Sequence, residues 1–397
     1  MKLVLKTLAG ITVALACTAS TSAQTVYIGS SPQAVKPAKP QPVDQAKRFA
    51  AYKVASMLGD RQFSALVERE LAGKGDAVLL KPLLSSYGAT GTQAKAAADT
   101  LHSTDLVVRQ SKAIATETDS VMNVRLYTPK KFAGKVDWKN LLVAYPPASK
   151  KNEYAAVEAF DRKGNAHVLD GRNEPKVPVL IVGIDRKEAH RAGVELMNKH
   201  LQSVGMQGKT MAKLSGPAAM STAAALTAGI ETSKLDRIRL NNDQEPWVSG
   251  AAEIFAVVSG VQPDQAKATL TVVDMPYLDH DGTDYTPNQI MIFWPEYRYA
   301  AANVQLFEHD DNTNYKDLAV ALAQGVSTIL GAFAPTYAVI GQVATAILQA
   351  MPAGWFANDD DYVDSFYTLE KGRTYAGYRG AAGNATMSLS PYTLQSQ

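Results

Sequence analysis

Three clusters of acidic and amide side chains lie in the last third of this 397-residue chain, at residues 279–284, 308–314 and 358–361. Calcium is a hard cation that takes about six to eight oxygen ligands from carboxylates, amides, main-chain carbonyls and water. Carboxylates crowded into short turns repel one another unless a cation lies between them. The clusters therefore predict a calcium site, and its expected oxygen ligands are Asp279, Asp281, Asp310, Asp311, Asp359 and Asp361.

None of the three clusters has the pattern of an EF-hand loop. The first begins with Asp279, Asp281 and Gly282, but the required glycine and the distant bidentate glutamate of that loop are out of place. Because Asp, Asn and Gly are also ordinary turn formers, solvated turns without a metal are the alternative interpretation. The presence of three such clusters in one strand-rich region favours calcium.

Short segments with an apolar period of two surround these clusters and predict strands at 235–240, 251–259, 268–274, 289–294, 302–308, 363–369, 374–379 and 385–390. Several short strands at regular spacing are typical of an antiparallel β-sandwich. We therefore expect a β-sandwich over residues 234–397, with each acidic cluster placed where a strand ends.

Two segments of this region resemble C2 domains: 303–311 (Asn-Val-Gln-Leu-Phe-Glu-His-Asp-Asp) and 359–364 (Asp-Asp-Asp-Tyr-Val-Asp). The resemblance implies a two-sheet antiparallel sandwich that binds calcium at one loop end and there reaches a membrane or a partner. Residues 247–254 stand where C2 domains have their first calcium loop, but they carry Ser249 and Glu253 instead of the usual aspartate. The whole chain is also similar to secreted bacterial proteins grouped as a domain of unknown function, which implies no activity.

An uncharged stretch interrupts the predicted sandwich. Residues 318–358 contain no Asp, Glu, Lys or Arg, although 20% of the chain is charged. Pro335 divides its apolar part into two halves with helical spacing, which predicts a helical hairpin insert over 318–351. Each half is shorter than the ~20 residues that a membrane span needs. We expect the two helices to pack on each other and on the sandwich; insertion into a membrane or binding to a partner is the alternative.

The part of the chain before the sandwich has two different patterns. Amphipathic spacing predicts a helical region over 43–104, and a shorter period predicts a mixed α/β domain over 105–211. The segments expected in that domain are strands at 106–108, 124–127, 141–145, 156–159 and 179–182 and a helix at 187–203. Residues 212–233 are rich in Ala, Ser, Thr and Gly and predict a linker. The expected fold class is therefore α+β.

The chain begins with the features of a secretory signal peptide over residues 1–23. Lys2 and Lys6 precede a short apolar run, and small residues lead to the predicted cleavage site. A Pro-rich spacer is expected over 24–42, and the mature protein is expected to be secreted or periplasmic. Cys17, the only cysteine, offers a lipid anchor as the alternative.

Cleavage of the signal peptide leaves a chain without net charge. Lys2 and Lys6 are lost from the 40 basic residues, so 38 basic residues face 38 acidic ones. A neutral chain has no general electrostatic attraction for nucleic acid. The predicted partners are a membrane surface, a carbohydrate or another protein.

Catalytic motifs give weaker signals than the acidic clusters. The chain has neither a Gly-x-Ser-x-Gly nor a His-Glu-x-x-His sequence. Asp185 and Glu188 follow a predicted strand and are suited to acid–base work, but acids at a helix start are commonly partners of the helix dipole. The predicted function is non-catalytic, calcium-dependent binding or adhesion at a surface. The alternatives are a secreted hydrolase with its site in 105–210 and a membrane-active protein that uses 318–351.

Aromatic side chains near predicted loop ends have two interpretations. They are either part of the sandwich core or contacts for carbohydrate or lipid headgroups. These residues are Trp247, Trp294, Tyr297, Tyr299 and Trp355.

Overall fold

The computed structural model describes residues 26–27, 42–74, 77–146, 156–206, 229–242, 247–249, 254–263, 267–308, 311–327, 338–350 and 362–395. The predicted signal peptide, including Cys17, lies outside the described residues, as do most of the Pro-rich spacer and residues 212–228 of the predicted linker. The remaining linker residues are described, and most of them belong to a strand that begins at Ile230.

Residues 42–111 contain four helices: α1 (Pro42–Met57), α2 (Arg61–Lys74), α3 (Leu80–Gly88) and α4 (Thr92–Ser111). Helices therefore occupy the region where the apolar spacing predicted them. The strand predicted at 106–108 is wrong, because α4 continues through these residues. Leu106 and Val107 are exposed and only Val108 is buried, so this apolar run follows the one-sided burial of a helix.

A seven-stranded sheet, the N-terminal sheet, packs against these helices. Its strands are β1 (Val26–Tyr27), β2 (Ala77–Leu79), β3 (Met122–Tyr127), β4 (Leu142–Ala144), β5 (Val157–Phe160), β6 (Ala166–Leu169) and β7 (Val179–Ile184). Their order is β1-β6-β5-β4-β7-β3-β2, and the central pair β4 and β7 is parallel. All six residues of β7 are buried, as their unbroken apolar run requires for a strand covered on both faces. Helix α5 (Arg186–Ser203) follows β7 directly.

The C-terminal part contains two four-stranded antiparallel sheets. The strands are β8 (Ile230–Leu240), β9 (Ile254–Val261), β10 (Ala268–Met275), β11 (Gln289–Phe293), β12 (Ala301–Glu308), β13 (Tyr362–Glu370), β14 (Tyr375–Arg379) and β15 (Ala385–Leu394). We call β10-β9-β12-β13 the inner sheet and β11-β8-β15-β14 the outer sheet. Apolar residues of both sheets form one core, so the two sheets pack face to face. The chain thus has an α+β fold.

The inner sheet is a central layer with both faces covered. Every residue of β9 and β12 is buried, whereas β8 in the outer sheet alternates between buried and exposed positions. One face of the inner sheet contacts the outer sheet, and the other contributes Phe255, Val257 and Phe307 to the core shared with the helices. This three-layer arrangement explains why β9 and β12 are buried on both faces.

Two helices, α6 (Tyr315–Ser327) and α7 (Ala338–Ala350), lie in the stretch where a helical hairpin was predicted. Buried amide side chains of β12 hold α7 on the inner sheet: Asn303 Nδ2 donates to Ile340 O at 2.8 Å, and Gln305 Nε2 donates to Ala344 O at 3.2 Å. The apolar faces of both helices belong to the main core. None of the described helices is long and apolar enough to cross a bilayer.

Helix α5 joins the N-terminal sheet to the inner sheet. The Asn198 side chain exchanges two hydrogen bonds with the backbone of Val272, at 2.9 and 3.1 Å. A Cβ atom added at Gly193 would lie 2.0 Å from the ring of Tyr315, so α5 and α6 pack without room for a side chain at this glycine. The two halves of the described chain therefore share a close-packed contact.

Candidate functional site

The acidic clusters flank strand ends that meet at one end of the inner sheet. Met275, the last residue of β10, pairs with Ile254, the first residue of β9, and Ile254 also pairs with Glu308 at the end of β12. On the other side of β12, Phe307 pairs with Tyr362, which begins β13. The connections after β10, after β12 and before β13 therefore leave the sheet at the same end, which we call the acidic end.

Asp279 lies at the acidic end and is partly buried. Its carboxylate accepts a hydrogen bond from the hydroxyl group of Tyr285 at 2.8 Å, and Lys187 Nζ of α5 lies 3.5 Å from its second oxygen. Burial and then the hydrogen bond to Asp279 raise the pKa of the Tyr285 phenol, so it stays a protonated donor at neutral pH. Asp281 is exposed two residues further on. This part of the first acidic cluster remains accessible to solvent.

A pocket of about 540 Å³ opens beside Tyr285, the residue whose hydroxyl group bonds to Asp279. It is lined by Pro276, Tyr277, Tyr285, Thr286, Pro287 and Gln289. The rings of Tyr277 and Tyr285 lie 6.1 Å apart between centroids and are inclined at 46°, so they form a corner of two aromatic walls. The Tyr277 hydroxyl group donates a hydrogen bond to Gln289 Oε1. Gln289 Nε2 in turn donates to the backbone oxygen of Asp274 at 2.8 Å.

A histidine and a carboxylate lie behind the pocket. His190 of α5 is 1% exposed, and its Nε2 atom lies 2.8 Å from Asp274 Oδ1. The His190 ring packs against the Phe255 ring with a centroid separation of 6.1 Å. Burial first, and the Asp274 charge second, raise the pKa of the Tyr277 phenol. The pocket wall is thus attached through Asp274 to the contact between α5 and the inner sheet.

Asp311 has a different environment, although the sequence also predicted it to be a calcium ligand. Its side chain lies 2.7 Å from Lys47 Nζ and 3.3 Å from Arg186 Nε, and its backbone oxygen accepts a hydrogen bond from Lys112 Nζ at 2.8 Å. Burial alone would raise the pKa of the Asp311 carboxyl group, but the charges of Lys47, Arg186 and Lys112 outweigh it and hold this pKa well below its usual range. Protein cations therefore neutralise Asp311.

The same group of charges includes Asp44, and we call these five residues the buried charge cluster: Asp44, Lys47, Lys112, Arg186 and Asp311. Lys47 is fully buried and lies 3.1 Å from Asp44 Oδ1. Burial acts to lower the pKa of the Lys47 ammonium group, whereas Asp311 and Asp44 raise it, and the net direction is upward. The cluster connects α1, the end of α4, the start of α5 and the turn before α6. It links the two halves of the chain through ion pairs and hydrogen bonds.

The other predicted ligands have no described position. Asp310, Asp359 and Asp361 lie outside the described residues. Among the residues that are described, no group of three or more His, Cys, Asp or Glu side chains is arranged to hold a metal ion. The structure brings Asp279 and Asp281 to the acidic end and assigns Asp311 to the buried charge cluster. The calcium site stays a prediction.

The acids considered for catalysis have structural partners. Asp185 precedes α5 and accepts a hydrogen bond from the backbone N–H of Glu188 at 3.1 Å, which is the role of a helix N-cap. Glu188 Oε1 lies 2.8 Å from Arg191 Nη2 on the same helix. The hydrogen bond to Arg191 lowers the pKa of the Glu188 carboxyl group more than burial raises it. Both side chains therefore make hydrogen bonds within the first turns of α5.

The loop-end aromatic residues are mostly parts of the core or of contacts between elements. Trp294 and Tyr297 belong to the core between the inner and outer sheets. Trp247 packs on Tyr127 and donates from Nε1 to Asp170 O at 3.0 Å. Tyr299 is partly buried against the main core, and Trp355 lies outside the described residues.

Comparison with known proteins adds one assignment to this geometry. The sequence profile of DUF3103, described as a protein of unknown function, matches residues 48–397. The chain belongs to the DUF3103 family. No curated protein and no solved structure matches this DUF3103 chain, so the comparisons lend no support to the resemblance to C2 domains.

Sequence reasoning missed the pocket of this DUF3103 protein. Tyr277 and Tyr285 are eight residues apart on either side of the first acidic cluster; Pro276 directly precedes Tyr277, and Pro287 lies two residues after Tyr285. This pairing of aromatic and proline residues around an acidic turn was the available signal. The buried charge cluster had no local signal, because its lysines are far from Asp311 in sequence and resemble surface lysines of ordinary helices.

Proposed function

We propose that this protein is an exported, calcium-dependent binding module that acts at a surface through the acidic end of its two C-terminal sheets. One observation carries the proposal: the strand ends that flank all three acidic clusters lie at one end of the inner sheet. Carboxylates brought together there favour a divalent cation, because the cation removes their mutual repulsion.

The register of the inner sheet indicates which clusters can share an ion. Strands β12 and β13 are neighbours, and adjacent strands lie about 4.8 Å apart. The second cluster follows β12 and the third precedes β13, so we assign the calcium ligands chiefly to Asp310, Asp359 and Asp361. Asp279 and Asp281 follow β10, two strands from β12 and about 10 Å away by the same spacing. We propose that these two residues contribute to the ligand-binding surface and to the negative electrostatic potential of the acidic end.

Two features of the sequence-based prediction enter this proposal in modified form. Asp311 is left out as a metal ligand, because Lys47, Arg186 and Lys112 already neutralise it. The apolar faces of α6 and α7 are buried, so the proposed contact with a surface uses the acidic end and not the hairpin. Export, and the likeness to C2 domains, are kept as parts of the proposal.

The test is thermal and chemical unfolding of the full chain in calcium chloride and in EGTA. A ligand that binds only the folded state stabilises it by about 2.7 kcal/mol at a concentration of 100 times its dissociation constant. We expect calcium to raise the free energy of unfolding of the wild type by an amount of this order. Equal stability in calcium and in EGTA would overturn the proposal.

A matched pair of variants separates a specific site from general charge repulsion. Asp359→Asn/Asp361→Asn removes two proposed ligands, and Asp99→Asn/Asp119→Asn removes the same charge from the exposed surface of the N-terminal half. The first variant is expected to lose the stabilisation by calcium, and the second is expected to keep it. If both variants respond to calcium like the wild type, the third cluster does not bind the ion.

A further inference from the structure

The pocket between Tyr277 and Tyr285 has a lining suited to a small neutral ligand. Its volume of about 540 Å³ lies in the range of about 300–1,000 Å³ that is usual for small-molecule sites. None of its six lining residues carries a charge. Pockets for phosphorylated or sulfated ligands use Arg or Lys to neutralise the anion, so this lining disfavours such ligands.

The aromatic corner gives the ligand two apolar surfaces that are already in place. The Tyr277 hydroxyl is held by Gln289, and the Tyr285 hydroxyl is held by Asp279 at 2.8 Å. Pro276 and Pro287 stand beside the two rings, and the fixed φ angle of proline restricts the backbone there. A ligand that stacks on these rings therefore pays little for ordering them.

Polar groups surround the aromatic corner at defined positions. The Gln289 amide has two N–H donors, of which one is used for the Asp274 backbone oxygen at 2.8 Å, so the second is suited to a ligand oxygen. The Asp279 carboxylate accepts one hydrogen bond from Tyr285 and has further acceptor capacity for ligand hydroxyl groups. The pocket thus combines flat apolar walls with the Gln289 amide in its lining, and the Asp279 carboxylate is bonded to one of its walls, Tyr285.

We propose that this pocket binds a pyranose ring of a neutral surface glycan, which stacks on Tyr277 and Tyr285 and hydrogen-bonds to Gln289 and Asp279. A pyranose offers an apolar face of C–H groups and a rim of hydroxyl groups that both donate and accept. This combination matches the walls and the polar rim of the pocket. The inference rests on the proposed binding function, whose ligand it names.

A proline-rich peptide is the competing class of ligand, because such peptides dock in grooves lined by aromatic residues. Peptide grooves of that kind are extended and lined by several aromatic side chains, whereas the aromatic lining here consists of two rings 6.1 Å apart and inclined at 46°. The acceptor Asp279 beside Tyr285 has no counterpart in a proline side chain, which has neither a donor nor an acceptor. The geometry therefore favours the sugar, and the peptide becomes an outcome of the test.

The experiment is isothermal titration of the full chain with cellobiose, N,N′-diacetylchitobiose and lactose, with mannitol as an open-chain polyol that has no ring face. We expect saturable binding of at least one disaccharide and none of mannitol. Tyr285→Ala should weaken that binding at least tenfold, whereas Tyr378→Ala, which truncates an exposed tyrosine on β14, should leave it unchanged. Binding of mannitol as strong as that of the disaccharides would overturn the inference.

A second variant covers the case in which Tyr285→Ala fails to fold. Thr286 is exposed at the pocket rim, and Thr286→Trp should fill the pocket without a change in the core. We expect Thr286→Trp to keep the wild-type melting temperature and to lose disaccharide binding. Three results would overturn the inference: unchanged binding by folded Thr286→Trp, no binding of any disaccharide by the folded wild type, and binding of decaproline in place of the disaccharides.

Repeating the titration in EGTA separates this inference from the proposed function. Disaccharide binding that persists in EGTA, in a protein whose stability does not respond to calcium, supports the sugar site and overturns the calcium proposal. Stabilisation by calcium with no disaccharide binding supports the calcium proposal and overturns the sugar site.

Discussion

The acidic end and the buried charge cluster show two uses of the same kind of sequence. Asp279 and Asp311 each follow a strand of the inner sheet by a few residues, and each belongs to an acidic run. Asp279 is paired with a tyrosine hydroxyl beside an open pocket. Asp311 is 5% exposed and is neutralised by cations from α1, α4 and α5. An acidic cluster therefore predicts a need for positive charge but does not predict its source.

The largest expected effect on the free energy of unfolding comes from removing the charge of Asp311. Removing one partner from a buried ion pair costs about 3–5 kcal/mol, because the other charges stay buried without compensation. We expect Asp311→Asn to lower the free energy of unfolding by an amount of this order in urea denaturation. Asp281→Asn, the same change at an exposed position of the acidic end, should alter it by less than about 0.5 kcal/mol. Equal costs for the two variants would remove the distinction between the two regions.

The packing beside the buried charge cluster gives the next effect. Gly193→Ala places a methyl group 2.0 Å from the Tyr315 ring, which itself lies 5.1 Å from Lys112 Nζ. Overpacking of this kind costs about 1–3 kcal/mol. Gly341→Ala is the control: it lies in α7 with no atom within 4 Å of the added methyl group and should be neutral or stabilising by about 0.5–1 kcal/mol. Urea denaturation measures the change in the free energy of unfolding for both variants. No change for Gly193→Ala would show that α5 and α6 have room for a methyl group at this contact.

The pH dependence of stability should report the buried charge cluster. The folded-state pKa of Asp311 is lowered from the ordinary 3.8, so its contribution is complete above that pH and is lost as the pH falls towards the folded pKa. The folded-state pKa of Lys47 is raised from the ordinary 10.5, so its contribution is complete below that pH and is lost as the pH rises through the folded pKa. Each group gives a slope of about 1.4 kcal/mol per pH unit within its window.

Urea denaturation across a pH series measures these slopes. Below about pH 4, stability should decline less in Asp311→Asn than in the wild type, because an amide does not titrate there. An acid limb identical in the wild type and in Asp311→Asn would contradict the lowered pKa of Asp311.

A small change in stability is expected when the hydrogen bond between Tyr285 and Asp279 at the acidic end is removed. Tyr285→Phe removes the hydroxyl donor to Asp279 and keeps the aromatic wall, and a hydrogen bond of this kind contributes about 0.5–1.5 kcal/mol. We expect a cost near the lower limit, because Asp279 is accessible to water. A cost as large as that of Asp311→Asn in the same denaturation assay would show that the acidic end is part of the packed core.

Local patterns were sufficient for most elements of this fold. The period of two located all the strands from β8 to β15, and helical spacing located α5 within one residue of its start at Arg186. The pattern failed where a short apolar run had no clear period. Residues 77–84 (Ala-Val-Leu-Leu-Lys-Pro-Leu-Leu) change from β2 to α3 without a polar break, so β2 was missed. The start of β8 at Ile230 was assigned to a linker because Ser and Thr residues occupy its buried positions.

The candidate sites depended on contacts that no local pattern contains. Lys47 and Asp311 are 264 residues apart, and only the packing of α1 against the rest of the chain brings them within 2.7 Å. Asp279 was predicted as a metal ligand from its acidic neighbours, whereas its hydrogen bond to Tyr285 depends on the path of the loop between β10 and β11. The sequence thus indicated which residues need a partner, and the tertiary structure decides which partner they receive.

Terbium luminescence sensitised by tyrosine tests most directly whether the acidic end binds a divalent ion. Terbium replaces calcium in oxygen sites, and Tyr362 directly follows the third cluster, with Tyr285 beside the first. We expect terbium emission on excitation of tyrosine, and calcium should displace it. Asp310→Asn/Asp359→Asn/Asp361→Asn should abolish this emission, whereas Asp99→Asn/Asp119→Asn should leave it unchanged. Absence of sensitised emission from the folded wild type, or equal emission from both variants, would contradict the binding of a divalent ion at the acidic end.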